Sequence, residues 1–456
     1  MFIKELSVKS YKNLDSLDLK FSRSEIQYFN QMNLSILVGE NGVGKSSVLQ
    51  LMAQIFCPSG RYQYKHNIES TEFSIKYELT DKQIDYNHNA IYPSDFPEKL
   101  IVSSYAVFDQ FASRYPSPDF GRVTLNENEV NETSYVYCGP AIARTSTLEP
   151  LIYAFLQAVY MPEKMTQNIN SYNKLLDKIG FKKIAFIEMV QDNKNVEKEF
   201  RKTYGVVNDA YLPDLDFLID RLNKARMEGR KLAREVHFTL LKGSPYYIVT
   251  PDILENCLGE MFKQTINEEI YIGIKNIWLE NFEGQYVRLS ELSSGELSML
   301  YRFLPLITNI VDNSLVFIDE PETHLHPVWL QEFVEYLNEL FNDYKSHFIL
   351  ATHSPLIVSD VPMECIIGLQ KVHNETSQYM PKDRTLGGSS NDILRNVFSL
   401  STTIGTFSNK QIIEMEKLFD SGQSKEIEEA QIIFDDLSTT PRKFEIYKKY
   451  KDFLGD

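Results

Sequence analysis

Residues 39–46, Gly-Glu-Asn-Gly-Val-Gly-Lys-Ser, have the types and spacing of a phosphate-binding loop, G-x-x-x-x-G-K-[S/T]. Glycines let the backbone N–H groups wrap around a phosphate, the lysine reaches its outer oxygens, and the serine hydroxyl offers a ligand to Mg²⁺. An apolar run of strand length, residues 34–38, precedes the loop, and apolar residues recur at helical spacing from Val48 to Phe56. The pattern therefore predicts strand, loop and helix, with phosphates held by Gly39, Gly42, Gly44, Lys45, Ser46 and Ser47.

Two carboxylates follow a second predicted strand. Residues 315–318 are continuously apolar, which is typical of a strand buried on both faces of a parallel sheet, and Asp319 and Glu320 come directly after them. A carboxylate at such a strand end can hold Mg²⁺, directly or through water, so we expect Asp319 to do so. Glu320 is then placed to act as a general base on an attacking water. The alternative interpretation is an acidic pair that only faces solvent.

Residues 292–296, Leu-Ser-Ser-Gly-Glu, precede an apolar helical pattern. Ser293 and Glu296 have the spacing of a capping box, in which each side chain bonds the backbone N–H of the other residue. The same stretch is similar to the signature sequence of ABC-type ATPases. The two interpretations are compatible, because a capped helix N-terminus is also an anion site.

A histidine, His353, follows the next predicted strand, residues 347–352, within Thr-His-Ser-Pro. At the ligand side of a parallel sheet its imidazole is expected to reach a phosphate or the attacking water. A purely structural histidine is the alternative.

Taken in order, these four motifs resemble those of ABC-type ATPases of the SMC, RecF and OLD group, over about residues 1–140 and 250–370. The resemblance implies an α/β P-loop NTPase head that binds ATP and Mg²⁺ and hydrolyses ATP slowly. It also implies a head-to-head dimer, in which the signature of one subunit closes on ATP held by the other. The signature residues are Ser293, Ser294, Gly295 and Glu296. By the same resemblance Lys12 and Asn13 lie near the nucleotide, Asn41 lines the loop, Gln110 binds the metal ion and His353 is a switch histidine.

Composition sets further limits. The 456 residues are too many for one ordinary core, and they carry a net charge of −16, which argues against a surface devoted to nucleic acid. No apolar run approaches 18 residues and no signal peptide is recognisable, so we expect a cytoplasmic protein with no membrane partner. The four cysteines are far apart and predict neither disulfides nor a zinc site.

The pattern of elements predicts four segments. These are an N-terminal half-head (1–140, ending in a loop over 115–140), an inserted helical domain (141–249), a C-terminal half-head (250–388) and a helical tail (389–456). The insertion is too short for a long coiled coil, and the residues after Leu369 lack the acidic set of an attached Toprim nuclease. Segments 105–111 and 385–395 resemble the ATPase subunits of Septu anti-phage systems and their retron-associated relatives. That resemblance implies a separate HNH nuclease as partner.

A second class of function stays open, a RecF-like ATPase of DNA repair that binds DNA directly. Its support is the run 221–234, which carries six Lys or Arg residues and one glutamate, Glu228. A solvated helix face or a protein contact is the simpler interpretation of that run.

Overall fold

The structure is a computed structural model that describes residues 1–56, 71–88, 95–106, 111, 123–124, 135–138, 151, 155, 162–190, 238–240, 246–249, 271–272, 274–373, 375–400 and 402–454. The chain divides into two compact units, Met1–Ser390 and Asn391–Asp456. Over these described ranges, no helix is both long and apolar enough to cross a membrane.

The strands are, in chain order, β1 Phe2–Tyr11, β2 Leu14–Lys20, β3 Asn33–Gly39, β4 Phe73–Leu79, β5 Lys82–Asn87, β6 Leu100–Ser104, β7 Val123–Thr124, β8 Tyr135–Tyr137, β9 Phe181–Val190, β10 Phe238–Leu240, β11 Tyr246–Val249, β12 Tyr271–Ile272, β13 Ile274–Asn281, β14 Tyr286–Arg288, β15 Leu315–Asp319, β16 His347–Ala351, β17 Ile366–Val372 and β18 Glu375–Tyr379. The helices are α1 Lys45–Phe56, α2 Pro162–Lys178, α3 Ser294–Asn309, α4 Pro327–Gln331, α5 Phe333–Phe341, α6 Pro355–Val358, α7 Ser390–Asn396, α8 Thr406–Ser421, α9 Ser424–Asp436, α10 Pro441–Lys449 and α11 Lys451–Leu454.

A seven-stranded sheet with the order β18-β17-β3-β16-β15-β6-β8 forms the centre of the first unit. All its neighbouring strands run parallel except β17 and β18. Every residue of β6, β15 and β16 is buried, as expected of parallel strands covered on both faces. The predicted α/β P-loop class is confirmed. Because parallel strands end at a common edge, the residues that follow β3, β15 and β16 come together there.

A smaller antiparallel sheet, β2-β1-β4-β5, lies beside it. Its strands alternate buried and exposed residues, so one apolar face packs into the core shared with α1. On α1 itself, Val48, Leu49, Met52 and Ile55 are completely buried. The predicted strand–loop–helix around residues 34–56 is therefore confirmed.

Two sequence predictions are wrong. Residues 115–140 were expected to be a loop, but β8 lies in this range and pairs with β6 at the edge of the large sheet. The insertion over 141–249 was expected to be helical, and α2 is, but the ten-residue strand β9 follows it and pairs with both β11 and β13. The β9 sequence, Phe-Lys-Lys-Ile-Ala-Phe-Ile-Glu-Met-Val, is rich in aromatic and β-branched residues, which favour strands over helices.

The second unit consists of helices α7 to α11. Its core is built from buried residues on α8, α9 and α10 and just beyond, namely Ile412, Met415, Phe419, Ala430, Phe434, Ile446 and Tyr450. Three of these recur at helical spacing along α8, so this helix of the predicted helical tail buries one face. The unit begins at Asn391, close to the predicted boundary at residue 389.

Candidate functional site

The loop between β3 and α1 requires glycine at two places. Gly39 has a φ of +150°, and a Cβ on it would lie 2.3 Å from the carbonyl oxygen of Leu369. Gly44 has a φ of +114°, and a Cβ there would lie 2.3 Å from a methyl group of Leu14. Any other residue at either position would clash and adopt a disfavoured backbone conformation. The loop sequence therefore follows from close packing as well as from a need to bind phosphate.

Lys45 begins α1 and is 5% exposed. Its ammonium group donates to the carbonyl oxygens of Gly39 at 3.1 Å and Glu40 at 3.3 Å, and contacts His353 Nε2 at 2.6 Å. These three contacts account for all three N–H donors of a lysine. Burial lowers its pKa to about 8, although the carboxylates of Glu320, Asp319 and Glu322 oppose the shift.

Ser46 and Asp319 meet directly. The Ser46 hydroxyl donates to Asp319 Oδ1 at 2.9 Å, and Asp319 is 1% exposed at the end of β15. A hydroxyl and a carboxylate are the hard oxygen donors that Mg²⁺ prefers, and Mg²⁺ in phosphate-transfer sites takes one or two protein oxygens plus phosphates and water. The oxygen atoms of Ser46 and Asp319 are therefore suitable ligands for the Mg²⁺ ion that the sequence predicts.

Glu320 follows Asp319 with an unusual backbone conformation. Its φ is +54°, a left-handed value that is uncommon for glutamate, and its N–H donates to the carbonyl of Ala351 at 2.9 Å. Its carboxyl lies 3.6 Å from His353 Nε2. Burial, together with the neighbouring carboxylates of Glu322 and Asp319, raises the pKa of Glu320 to about 7. A carboxyl with this pKa can accept a proton near neutral pH, as a general base requires.

His353 is held by a residue of the neighbouring strand end. Glu322 accepts the backbone N–H of His353 and, at 2.7 Å, the hydroxyl proton of Thr352. Thr352 Oγ1 in turn accepts the N–H of Ser354 at 2.9 Å. Burial, and then the nearby Lys45 cation, lower the pKa of His353 to about 4, so the imidazole is neutral at physiological pH. The segments that follow β15 and β16 are therefore bonded to each other through Glu322.

The turn between β1 and β2 also reaches the loop. Asn13 Nδ2 donates to the carbonyl of Gly42 at 2.9 Å, and the Ser47 hydroxyl donates to Asn13 Oδ1 at 2.7 Å. The Lys12 ammonium donates to the side chain of Gln50 on α1. Asn41 is exposed at the tip of the loop. Lys12 and Asn13, which the family resemblance put near the nucleotide, thus touch the same loop and helix as Lys45.

The signature residues lie at the N-terminus of α3. Ser293 is the N-cap, and the capping box is complete: Ser293 N–H donates to Glu296 Oε2 at 2.7 Å, and Glu296 N–H donates to Ser293 Oγ at 3.3 Å. Ser293 and Ser294 are exposed. Gly295 is covered by the indole of Trp329, since a Cβ on Gly295 would lie 2.2 Å from that ring. The predicted capping box is confirmed, and Ser293 and Ser294 at the start of the helix face solvent.

Arg302, on the same helix, was not among the predicted site residues. It is 2% exposed and donates to the carbonyls of Pro321 at 3.2 Å, Thr323 and Ser298, while its guanidinium lies 3.9 Å from the centre of the Tyr105 ring. The helix that begins with the signature is therefore attached to the segment that carries Glu320 and Glu322. A basic residue among buried apolar residues at the spacing of Met299, Phe303 and Leu306 is the sequence signal that could have identified it.

Two predicted features, Gln110 and the basic run 221–234, lie outside the described residues. The two histidines after Glu322 do not form a metal site with other residues; no group of three or more His, Cys, Asp or Glu suited to a metal occurs in the described part of the chain. Instead, His326 is the N-cap of α4 and accepts the N–H of Val328 at 3.3 Å.

The AAA ATPase domain family matches residues 1–358 of the chain. Among curated proteins, the chain is 21% identical over 378 residues to protein ea59 of Escherichia phage lambda, covering 81% of this chain and 55% of that protein. The chain thus spans little more than half the length of that relative. It is 25% identical over 443 residues to the retron Ec83 probable ATPase of Escherichia coli, covering 88% and 76% of the two chains.

Two further similarities complete the comparison. The Septu protein PtuA of Bacillus thuringiensis is 21% identical over 453 residues, which cover 95% of this chain and 93% of PtuA. Among solved structures, the SMC head domain from Thermotoga maritima aligns with a TM-score of 0.36 and 12% identity, over 84% of this chain and 100% of that domain.

Proposed function

The chain belongs to the AAA ATPase domain family, and from this premise we propose that it binds ATP with Mg²⁺ and hydrolyses it slowly between two copies of itself. One observation carries the proposal: Lys45, the Ser46–Asp319 pair, Glu320 and His353 converge at the ends of β3, β15 and β16. Phosphoryl transfer to water needs three kinds of group: a lysine in a glycine-rich loop, oxygen ligands for Mg²⁺ and a carboxyl that can accept a proton.

The lysine and the loop bind the phosphates. Lys45 releases at least one of its present hydrogen bonds to donate to a β- or γ-phosphate oxygen, because all three of its protons are already used. The loop amides and the N-terminus of α1 add further donors and a favourable helix dipole. Asn13 fixes the loop from the other side through the carbonyl of Gly42.

Ser46 and Asp319 would hold the Mg²⁺ ion, which when bound neutralises charge on the β- and γ-phosphates. Glu320 accepts a proton from the attacking water. His353 is neutral and lies beside the Glu320 carboxyl, so it forms a hydrogen bond with the same water as donor or acceptor. Glu322 keeps His353 in position through its backbone N–H and through Thr352.

The signature completes the site from a second copy of the chain. Ser293 and Ser294 are exposed at the start of a sixteen-residue helix, where unpaired N–H groups and the helix dipole attract an anion. Arg302 attaches this helix to the Pro321–Thr323 segment. Closure of this helix on a partner's ATP would therefore shift the segment that follows β15 and carries the carboxylates of Glu320 and Glu322.

ATP hydrolysis tests the enzymatic part of the proposal. Glu320→Gln keeps the size of the side chain and removes the base, so we expect hydrolysis to fall by about 10²–10⁴-fold while ATP still binds. Lys45→Ala should abolish binding itself. Equal hydrolysis rates for wild type and Glu320→Gln would contradict the role of Glu320.

We further propose that the ATP-bound state controls a separate nuclease of the HNH type in anti-phage defence. The support is similarity to relatives named for Septu and retron systems, at 21–25% identity. The chain, tagged at its own locus and purified in ATP-containing buffer, should bring with it a small HNH protein in near-stoichiometric amount, identified by mass spectrometry. A phage challenge of cells carrying Lys45→Ala should then show loss of protection.

Recovery of recombination proteins, or of DNA with no protein, would favour the RecF-like alternative instead. In that case the triple variant Arg226→Glu, Arg230→Glu, Lys231→Glu should weaken DNA binding and flatten its dependence on salt. Unchanged salt dependence would exclude the run 221–234 as the DNA contact.

A further inference from the structure

Ser104 is the last residue of β6 and is completely buried. Its hydroxyl has no hydrogen-bond partner in the part of the chain that the structure describes. Buried polar groups are nearly always paired, and an unpaired hydroxyl destabilises the fold because it has lost its bonds to water. A buried serine hydroxyl with no partner among the described residues is free to form a hydrogen bond with a bound group.

Strand register places this hydroxyl beside the metal-binding carboxylate. Ser104 and Asp319 are direct partners in the parallel β6–β15 ladder. Partners in a ladder project to the same face, and neighbouring strands are about 4.8 Å apart. Asp319 in turn accepts the Ser46 hydroxyl at 2.9 Å. Ser104 on β6 and Ser46 on α1 therefore both neighbour Asp319, at the edge of the sheet where the phosphate loop lies.

The adjacent serine makes an internal comparison. Ser103 is also buried, but it projects to the opposite face, and its hydroxyl donates to Tyr105 at 3.2 Å. Tyr105 in turn donates to the carbonyl of Tyr301 on α3. Of these two neighbouring buried serines, Ser103 projects to the face covered by α3 and has a partner, whereas Ser104 projects to the face of Asp319 and has none.

We propose that the Ser104 hydroxyl hydrogen-bonds a water molecule in the coordination shell of the nucleotide-bound Mg²⁺, as a third oxygen group of the site after Ser46 and Asp319. Mg²⁺ keeps several water ligands at such sites, and these waters need protein partners. Groups in the outer shell of a metal ion commonly tune its affinity. This inference rests on the proposed binding of Mg²⁺ with ATP.

The test is the affinity of the full chain for Mn²⁺, measured by electron paramagnetic resonance in the presence of a saturating, non-hydrolysable ATP analogue. Ser104→Ala should raise the Kd for Mn²⁺ about 10-fold, the lower end of the range for outer-shell changes. The affinity for the analogue without metal should stay as in the wild type. The urea midpoint of the metal-free variant should not fall, since the hydroxyl removed has no partner there.

Ser103→Ala is the matched control. It should leave the Kd for Mn²⁺ within about twofold of the wild type and lower the urea midpoint, because it breaks the bond to Tyr105. The inference is overturned if Ser104→Ala binds Mn²⁺ as tightly as the wild type, or if Ser103→Ala weakens Mn²⁺ equally. A wild-type chain that binds the analogue but no Mn²⁺ would contradict the proposed use of the metal, and this inference with it.

Discussion

The Lys45 ammonium and His353 Nε2 lie 2.6 Å apart. Lys45, with a pKa of about 8, is mainly protonated at neutral pH, so His353 accepts this hydrogen bond as a neutral imidazole. The glycine-rich loop after β3 and the histidine that follows β16 are therefore joined through this hydrogen bond. A phosphate that engages Lys45 must compete with this bond.

The first prediction concerns the pKa of His353. Burial and the Lys45 cation lower it to about 4, so in the nucleotide-free chain His353 should stay neutral down to about pH 5. Lys45→Met removes the cation and should raise the pKa of His353. The measurement is NMR of histidine labelled in the ring, with His353 assigned by substitution. Lys12→Met is the control, because Lys12 also carries a positive charge and donates to Gln50; titration of His353 near pH 6.5 in the wild type would contradict the geometry.

The second prediction concerns Glu322, whose two oxygens accept from Thr352 and from the backbone N–H of His353. Glu322→Gln replaces one acceptor with an NH₂ group, which cannot accept either proton. His353 should be displaced, and ATP hydrolysis should fall about 10-fold or more with little change in ATP affinity.

Glu335→Gln is the control for Glu322, since Glu335 is exposed on α5 and carries the same charge. It should hydrolyse ATP at the wild-type rate. A Glu322→Gln enzyme with normal hydrolysis would show that this pair of hydrogen bonds does not position His353.

The third prediction separates packing from phosphate binding at the signature. Alanine in place of helical glycine normally stabilises a helix, but a Cβ on Gly295 would overlap the Trp329 indole. Gly295→Ala should therefore destabilise the chain by about 1–3 kcal/mol, the usual cost of overpacking. Urea unfolding measures this loss, and Ser294→Ala, at the exposed neighbouring position, should change little.

The double variant Gly295→Ala, Trp329→Ala tests whether overlap with the Trp329 indole causes the loss of stability in Gly295→Ala. If the indole is responsible, the double variant should be about as stable as Trp329→Ala alone. An additive loss in the double variant would mean that Gly295→Ala acts in some other way.

The fourth prediction is a pH dependence of folding stability that arises outside the site. His347 is completely buried; its Nδ1 accepts the N–H of Ile3 at 3.1 Å, and its Nε2 is 2.9 Å from Ser35 Oγ. Burial, the N-terminal ammonium and Arg23 hold its pKa well below 6.5. Below pH 6.5 the unfolded chain therefore binds a proton at His347 that the folded chain does not. The free energy of unfolding is not reduced by this group above pH 6.5, and it falls as the pH decreases below that value.

Between pH 7.5 and 5.5 the loss should be about 1 kcal/mol for this one group. Urea unfolding at the two pH values measures it. His347→Asn keeps an acceptor for the Ile3 N–H and cannot titrate, so its stability should depend less on pH by that amount. Identical pH profiles for the two proteins would contradict the assignment.

Much of this architecture could be predicted from local patterns. The glycine loop, the continuous apolar run of β15 and the capping box of α3 each specify their own structure within a few residues. Parallel topology then brings their ends together, because parallel strands share one edge for their carboxyl ends. For that reason the structure brings together the predicted site residues Lys45, Ser46, Asp319, Glu320 and His353.

The remainder depends on long-range contacts. β8 is only three residues long and pairs with β6 across a large sequence separation, so composition alone suggested a loop. β9 lies in a segment predicted to be helical because apolar residues recur at helical spacing on both sides of it, over 151–159 and 218–233. Ser104 and Glu322 matter only through what lies opposite them in space, which no local spacing reveals.

The central claim, that the signature of one chain closes on ATP held by another, is tested most directly by cross-linking in trans. Ser294→Cys and Asn41→Cys change two exposed residues, one in the signature and one in the phosphate loop. Each is introduced into a separately tagged copy that also carries Glu320→Gln, and the copies are mixed with a short bis-maleimide. Copies without introduced cysteines are the control. A cross-linked pair carrying both tags, formed with Mg²⁺ and ATP and absent with ADP, is the predicted result; equal cross-linking with or without ATP, or none while ATP is bound, would contradict it.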